Sequence, residues 1–174
     1  MTPAPTFPEP SNEFSDPADL LVRYLDFYRL TVEAKLEGLT DEQLRSTLLP
    51  SGWTPLELLK HLVFMEQRWI RWGFLGESLA EPWGDRDPVA DRWAVRDDDT
   101  LAGGVALLHA GGLATAQVVR AHSLDELSAK TGRFEGEAPA PTLAWILFHV
   151  LQEYARHAGH LDVVRELIDG RTGE

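Results

Sequence analysis

Three histidines and one glutamate recur at helical spacing near the carboxyl end of the chain. They are His149, Glu153, His157 and His160. At about 100° per residue, their side chains fall within roughly 80° of arc on one side of a helix. A carboxylate and an imidazole four residues apart, such as Glu153 and His157, can therefore reach the same metal ion. This spacing is typical of a metal site, but it is also compatible with histidines that are simply packed.

Another histidine, His61, lies in the other strongly amphipathic segment, Leu56 to Phe74. Apolar residues recur there at intervals of three and four, which places His61 on or beside the buried face. The residues alone leave two interpretations open. A core histidine can be satisfied by an ordinary hydrogen bond, or it can complete a three-ligand site from a helix that faces the last one.

Composition limits the class of protein. The 174 residues are 44% apolar, which is sufficient for a single globular domain with a substantial core. The sequence has no cysteine. Disulfides, thiolate metal ligands and a cysteine nucleophile are therefore excluded, and any thiol chemistry needs an external thiol. The formal net charge of −12 disfavours nucleic acid, which binds clustered lysine and arginine.

Hydropathy predicts a cytoplasmic protein with no membrane partner. No apolar run is expected to approach the roughly 18 residues of a membrane span, and the N-terminus lacks the basic and apolar pattern of a signal peptide. Residues 1–14 are rich in proline and polar residues and are predicted to form a mobile tail. Residues 15–174 then form the single domain.

Caps and apolar periods predict four helices, at about 17–37, 56–74, 100–121 and 142–169. Thr40 and Thr54 each begin a capping box, and Gly38 and Gly170 are suitable helix ends. Together with the absence of strand-like alternation, this pattern predicts an all-α four-helix bundle.

Two segments qualify that pattern. Glycine pairs at 103–104 and 111–112 weaken the third helix by roughly 1 kcal/mol per glycine, although they would let a neighbouring helix approach closely. Residues 76–99 contain several prolines and glycines and are predicted to form a long structured loop. Loops of this kind commonly line the mouth of a pocket.

Four stretches of the chain carry a resemblance to a known family. They are residues 38–44, 51–62, 153–162 and 165–170. Through them the chain resembles the DinB superfamily over most of residues 17–170, and more narrowly the branch related to mycothiol-dependent maleylpyruvate isomerases. The resemblance implies a DinB-like bundle with long connecting loops. The family name refers to DNA damage induction and implies no DNA binding.

The resemblance also implies a set of metal ligands. In this superfamily a divalent metal is commonly held by one residue of the second helix and two residues, four apart, of the last helix. The matching positions are His61, Glu153 and His157. Many members have histidine where this chain has Glu153, whereas the isomerase-like branch has glutamate. In that branch the metal is thought to bind the sulfur of a low-molecular-weight thiol, and the expected thiol here is of the type of mycothiol or bacillithiol.

Two imidazoles and one carboxylate suit Zn²⁺ or Ni²⁺ best, with Mn²⁺ or Fe²⁺ as alternatives, and they leave coordination positions open. Nearby residues are secondary candidates. His160 could act as an acid or base, and Arg156 and Arg165 could bind a carboxylate-bearing substrate. His149 is expected to pack beside the site and is not included in it. The six tryptophans could supply apolar walls of a cavity, although aromatic residues at helical spacing more often belong to the core.

Two functions remain open on this evidence. The first is a metal-dependent thiol transferase or isomerase that activates a small thiol for reaction with a small electrophile. The second is a non-catalytic stress or resistance protein that binds a metal or a small ligand through the same residues. A structural bundle with packed histidines is a third interpretation. The expected partners are a small-molecule substrate and a second copy in a symmetric homodimer, with a monomer as the alternative.

Overall fold

The computed structural model describes residues 9–172, and most of them are helical. The long helices of this part are α1 (Pro17–Leu36), α3 (Pro55–Gln67), α4 (Leu101–Ala121) and α5 (Leu143–Asp169), and a short helix, α2 (Asp41–Arg45), follows α1. The prediction of a mostly helical, all-α protein is confirmed. Residues 1–8 of the predicted tail lie outside the described residues.

Helix ends follow the caps that the sequence indicates. The side chains of Thr40 and Thr54 each accept a hydrogen bond from the backbone N–H three residues later, and the side chain of that later residue accepts one from the backbone N–H of the threonine. Gly38 and Gly170 adopt left-handed conformations, with φ of 78° and 76°, just beyond α1 and α5. Local hydrogen bonds and glycine therefore set these boundaries.

The long helices pack around one apolar core, with α1 and α3 each lying against α4 and α5. Glycine permits the close approach of α4. A Cβ at Gly104 would lie 2.6 Å from Leu59 Cδ2 of α3, and a Cβ at Gly112 would lie 2.9 Å from the Arg29 guanidinium of α1. The expectation that these glycines let neighbouring helices approach is confirmed. The packing explains why α4 keeps residues that weaken an isolated helix.

The segment after α3 differs from the sequence prediction in two ways. Residues Arg68–Phe74 form a π-helix rather than further α-helix, a distinction that apolar spacing does not reveal. The loop 76–99 contains two short antiparallel strands, β1 (Arg86–Asp87) and β2 (Arg92–Trp93). Two-residue strands are too short to display the alternation by which a strand is recognised.

Helix α4 is long and apolar enough, by length and composition, to cross a membrane. Its most apolar stretch of 18 residues, here called its window, has a mean hydropathy of 1.3. The expectation that no segment reaches this length is therefore wrong. Its alanines and glycines separate the larger apolar residues without introducing a charge before Arg120. In the structure 33% of that window is buried, and α4 packs against α1 and α3.

A buried polar network joins the long helices. The Glu66 carboxylate accepts hydrogen bonds from the guanidinium of Arg29 and from the hydroxyls of Thr115 and Tyr154. Each of these four side chains is 2% exposed or less. Burial alone would lower the pKa of Arg29, but Glu66 and Tyr154 raise it above its ordinary value. Since α1, α3, α4 and α5 each supply a member, the network defines how these helices sit against one another.

Replacing Glu66 with alanine is expected to lower the free energy of unfolding by about 3–5 kcal/mol, because the buried Arg29 guanidinium loses its buried counter-ion. Glu77→Ala is the control, since it removes an exposed pair with Arg71 and should cost no more than about 1 kcal/mol. Urea unfolding measures both changes. Similar losses in the two variants would contradict a special role for the buried network.

Candidate metal centre

The three predicted ligands converge between α3 and α5. His61, Glu153 and His157 each offer one ligand atom, and these atoms lie within 4.8 Å of one another. Glu153 Oε2 is 3.6 Å from His61 Nε2 and 3.3 Å from His157 Nε2. Both imidazoles therefore turn Nε2 toward the same carboxylate oxygen. Helical spacing accounts for the pair on α5, and the packing of α3 against α5 brings in His61.

The charge and spacing of this group fit a divalent ion. His157, followed by His61, holds the pKa of the Glu153 carboxyl well below its ordinary value, against the opposing effect of burial. The carboxylate is therefore ionised near neutral pH. Two ligand atoms that are each about 2.0–2.1 Å from a tetrahedral ion lie about 3.3–3.4 Å apart. The two distances from the carboxylate to the imidazoles are close to that separation.

A residue that the sequence analysis did not identify supports His61. Asp85, which is fully buried in the loop 76–99, places Oδ2 3.1 Å from His61 Nδ1. Arg68, the first residue of the π-helix, donates to both carboxylate oxygens of Asp85, at 2.6 and 3.0 Å. An ionised carboxylate can only accept, so Nδ1 of His61 carries the proton. In the neutral imidazole the lone pair is then on Nε2, the nitrogen that an ion would bind.

The pKa of Asp85 agrees with this assignment. Burial alone would raise it, but the hydrogen bonds from His61 and Arg68 lower it below the ordinary value for aspartate. The loop therefore places the negative charge of Asp85 next to Nδ1 of His61, the ring nitrogen that does not face Glu153. The sequence offers little signal for this role, because Asp85 lies among other acidic residues in a segment without helical or strand periodicity.

His157 also has a partner on its far side. His160 Nδ1 lies 3.2 Å from His157 Nδ1, and in such a contact one nitrogen donates and the other accepts. When neutral His157 donates through Nδ1, its lone pair is on Nε2, the nitrogen that an ion beside Glu153 would bind. Burial, then His157 and Arg156, lower the pKa of His160, which favours the neutral form of this imidazole. The structure thus places His160 behind a predicted ligand.

The two predicted substrate-binding arginines have different surroundings. Arg165 is buried, donates to the backbone carbonyls of Lys35 and Glu37, and pairs with Asp169. These contacts tie α5 to the end of α1. Arg156 is exposed on α5. Within residues 9–172, neither arginine forms a hydrogen bond with a predicted metal ligand.

Aromatic rings surround the predicted ligands. Trp93 of β2 stacks on the His61 ring, with centroids 4.2 Å apart and an angle of 21° between the planes. His149 lies one turn before Glu153, with Nε2 3.7 Å from Glu153 Oε1. The ring of His149 also lies next to that of Trp69, with the two ring centroids 3.9 Å apart. His149 therefore packs beside the group, as the sequence analysis expected.

The expectation that the tryptophans belong to the core holds only in part, since Trp53, Trp69 and Trp93 pack against the core from its edge. In the described part of the chain none of the six is fully buried, and Trp83 and Trp145 are 44% and 55% exposed. The indoles that contact a histidine of this region are Trp53, Trp69, Trp93 and Trp145. Large rings at helical spacing reach past the edge of the core, so apolar periodicity does not distinguish a buried indole from one at the rim of a site.

Replacing Asp85 with asparagine is expected to weaken metal binding by about 10- to 100-fold, because the carboxylate that orients His61 is lost. Competition with a chromophoric chelator measures the affinity. Asp87→Asn is the matched control in the same hairpin, where the carboxylate accepts only from the backbone N–H groups of Val89 and Ala90. Equal affinity in the two variants would contradict the supporting role of Asp85.

A comparison with protein families identifies the group to which the chain belongs. A family model described as mycothiol-S-transferase matches residues 20–170, a span that includes the candidate metal centre and Asp85. No match to a curated protein is found. The predicted relationship to DinB-like, mycothiol-dependent proteins is confirmed. Because the match covers far more than half of the 174 residues, the chain belongs to the mycothiol-S-transferase family.

Proposed function

We propose that the protein joins mycothiol, through its sulfur, to a small electrophile. The reaction takes place at a divalent ion held by His61, Glu153 and His157 in a DinB-like four-helix bundle. The observation that carries this proposal is the convergence of three ligand atoms, with both imidazoles supported from behind, in a chain of this family. The sequence has no cysteine, so the reacting sulfur belongs to the substrate thiol.

When bound, the ion would lower the pKa of a thiol that coordinates it and so make the thiolate available near neutral pH. The chain's own residues prepare the position. Asp85 accepts a hydrogen bond from Nδ1 of His61 and so fixes its tautomer. His160 forms a hydrogen bond with Nδ1 of His157 in the same way, on the side away from Glu153. Trp93 stacks on one face of the His61 ring and restricts its orientation. Zn²⁺ and Ni²⁺ are the ions that best suit these donors.

The transfer forms a bond between the thiol sulfur and an electrophilic carbon. The sulfur provides the electron pair, and the thiol proton is released. The electrophile then either expels a leaving group with its bonding electrons or, where it is an unsaturated carbonyl compound, takes up a proton. Both outcomes give a product whose mass identifies the reaction.

A conjugation screen tests the proposal. The Zn²⁺- or Ni²⁺-loaded protein is incubated with mycothiol and a panel of alkyl halides, epoxides and unsaturated carbonyl compounds, and products are identified by mass spectrometry. Conjugates are expected to form faster than without protein, and chelation of the ion should remove the acceleration. If no thiol supports any reaction across the panel, a non-catalytic binding protein becomes the better interpretation.

A further inference from the structure

A basic side chain near the candidate metal centre lacks a carboxylate partner. Of the sixteen lysines and arginines, those with no carboxylate oxygen within 4.0 Å in the described part of the chain are Arg120, Lys130, Arg133 and Arg156. Arg133 is partly buried, whereas the other three are exposed. Acidic residues outnumber basic ones by 28 to 16, so a partly buried arginine without an acidic partner is unexpected.

Aromatic rings form the surroundings of Arg133. Its guanidinium carbon lies 4.4 Å from the ring centroid of Trp69, 5.9 Å from that of Trp72 and 5.8 Å from that of Trp83. Trp69 and Trp72 lie on the π-helix that follows α3. The wider turn of a π-helix changes the direction of successive side chains, and here both indoles reach the same guanidinium.

The electrostatics of Arg133 favour an added anion. Burial lowers its pKa, and the neighbouring Arg68 lowers it further, with only Glu137 opposing. The charge of Arg68 is already matched by Asp85. Contacts with indole faces contribute about 0.5–1 kcal/mol at exposed sites and do not provide hydrogen-bond acceptors. A carboxylate beside Arg133 would supply both the missing charge and the missing acceptors.

The donors of Arg133 are open to a ligand. Its side chain forms no hydrogen bond to another residue of 9–172. A buried nitrogen without a partner would be an unsatisfied polar atom, but within these residues the buried unsatisfied side-chain atom is Ser128 Oγ, not a nitrogen of Arg133. The guanidinium nitrogens therefore remain in contact with solvent. A guanidinium presents paired N–H groups whose spacing matches the two oxygens of a carboxylate.

Trp69 connects this position to the predicted ligands. One neighbour of its ring is Arg133 and another is His149, at 3.9 Å between ring centroids. His149 Nε2 in turn lies 3.7 Å from Glu153 Oε1. Trp69 and His149 therefore connect the guanidinium to the side of the candidate metal centre.

We propose that Arg133, together with Trp69, Trp72 and Trp83, binds the carboxylate of a planar unsaturated or aromatic electrophile. The guanidinium pairs with the carboxylate, and the planar part of the molecule packs beside the indoles that surround Arg133. The reactive carbon then lies toward the candidate metal centre, and this last step rests on the proposed function. Carboxylate binding itself does not depend on catalysis.

Calorimetric titration with cinnamate and its neutral analogue cinnamamide tests the proposal on the full-length protein as purified. The wild-type protein is expected to bind cinnamate at least tenfold more tightly. Arg133→Met keeps an unbranched chain over Trp69 but removes the charge, and it should abolish the preference. Arg133→Lys keeps the charge without the planar pair of donors, and it should weaken cinnamate binding while retaining the preference.

Arg120→Met is the matched control, because it removes an exposed arginine and changes the net charge equally. It should keep the wild-type preference. Equal affinities for the two compounds in the wild-type protein, or an unchanged preference in Arg133→Met, would overturn the proposal. If Arg133→Met loses its helical circular dichroism, Arg133→Lys decides the matter, and an undiminished affinity for cinnamate in that variant would overturn the proposal.

Chelation separates this site from direct coordination of the carboxylate. The preference for cinnamate should persist after dialysis against a chelator, and its loss there would place the carboxylate at an ion and overturn the proposal. The conjugation screen is independent of this measurement. Retained cinnamate binding with no conjugation activity would reject the proposed function while leaving the Arg133 site in place.

Discussion

Replacing His157 with alanine is expected to reduce the bound divalent ion from about one per chain to near none. The substitution removes a buried imidazole whose Nε2 faces Glu153 and whose Nδ1 is held by His160. The remaining ligands, His61 and Glu153, belong to different helices and would provide only two donors from the protein. Elemental analysis after gel filtration measures the ion content of the purified variant.

His109→Ala is the control for this experiment. His109 is an exposed histidine of α4 that pairs with Glu33 of α1, and its loss should leave the metal content unchanged. Both variants should keep the helical circular dichroism of the wild-type protein, because the apolar core is intact. An unchanged metal content in His157→Ala would reject the ligand assignment. A loss in both variants would indicate that the ion is bound without a defined site.

Local features of the fold could be predicted from sequence because their causes are local. The capping boxes at Thr40 and Thr54 involve residues three positions apart, and Gly170 ends α5 through its own backbone conformation. The pairing of Glu153 with His157 is also a matter of spacing along one helix. These parts of the structure need no knowledge of which helices are neighbours.

The support of the candidate metal centre depends on tertiary contacts and could not be predicted in this way. Asp85 reaches His61 across 24 residues of sequence, and Tyr154 reaches Glu66 across 88. No periodicity marks either pair. Apolar spacing allowed His61 as a ligand from a facing helix and the family resemblance favoured that interpretation, but neither identified the carboxylate behind His61.

The tryptophans illustrate a different difficulty. Hydropathy assigns an indole to the core, yet its size allows it to pack against the core at one edge and to contact solvent at the other. Trp69 is partly buried and packs on the core, while its ring also lies next to His149 and Arg133. Distinguishing the two environments required the position of Arg133, which follows a loop and has no helical spacing to Trp69.

Replacing Glu153 with alanine, or His61 with alanine, is expected to lower thiol-dependent turnover by about 100-fold or more. The reason is that an ion contributes several kcal/mol to the reaction, and each 1.4 kcal/mol corresponds to a factor of ten. The fold should persist, because Glu153 is partly exposed and the apolar core and the Glu66 network do not include either residue. Turnover of mycothiol conjugates and circular dichroism should therefore change independently.

Glu166→Ala is the matched control for Glu153→Ala, since it removes an exposed carboxylate from the same helix. It should retain both turnover and helical content. A parallel loss of turnover and helix in Glu153→Ala would mean that this carboxylate supports the fold rather than the reaction. Glu153→Ala and His61→Ala each lack one of the three converging ligands. Full thiol-dependent activity in both of these variants would therefore show that the reaction does not need the ion.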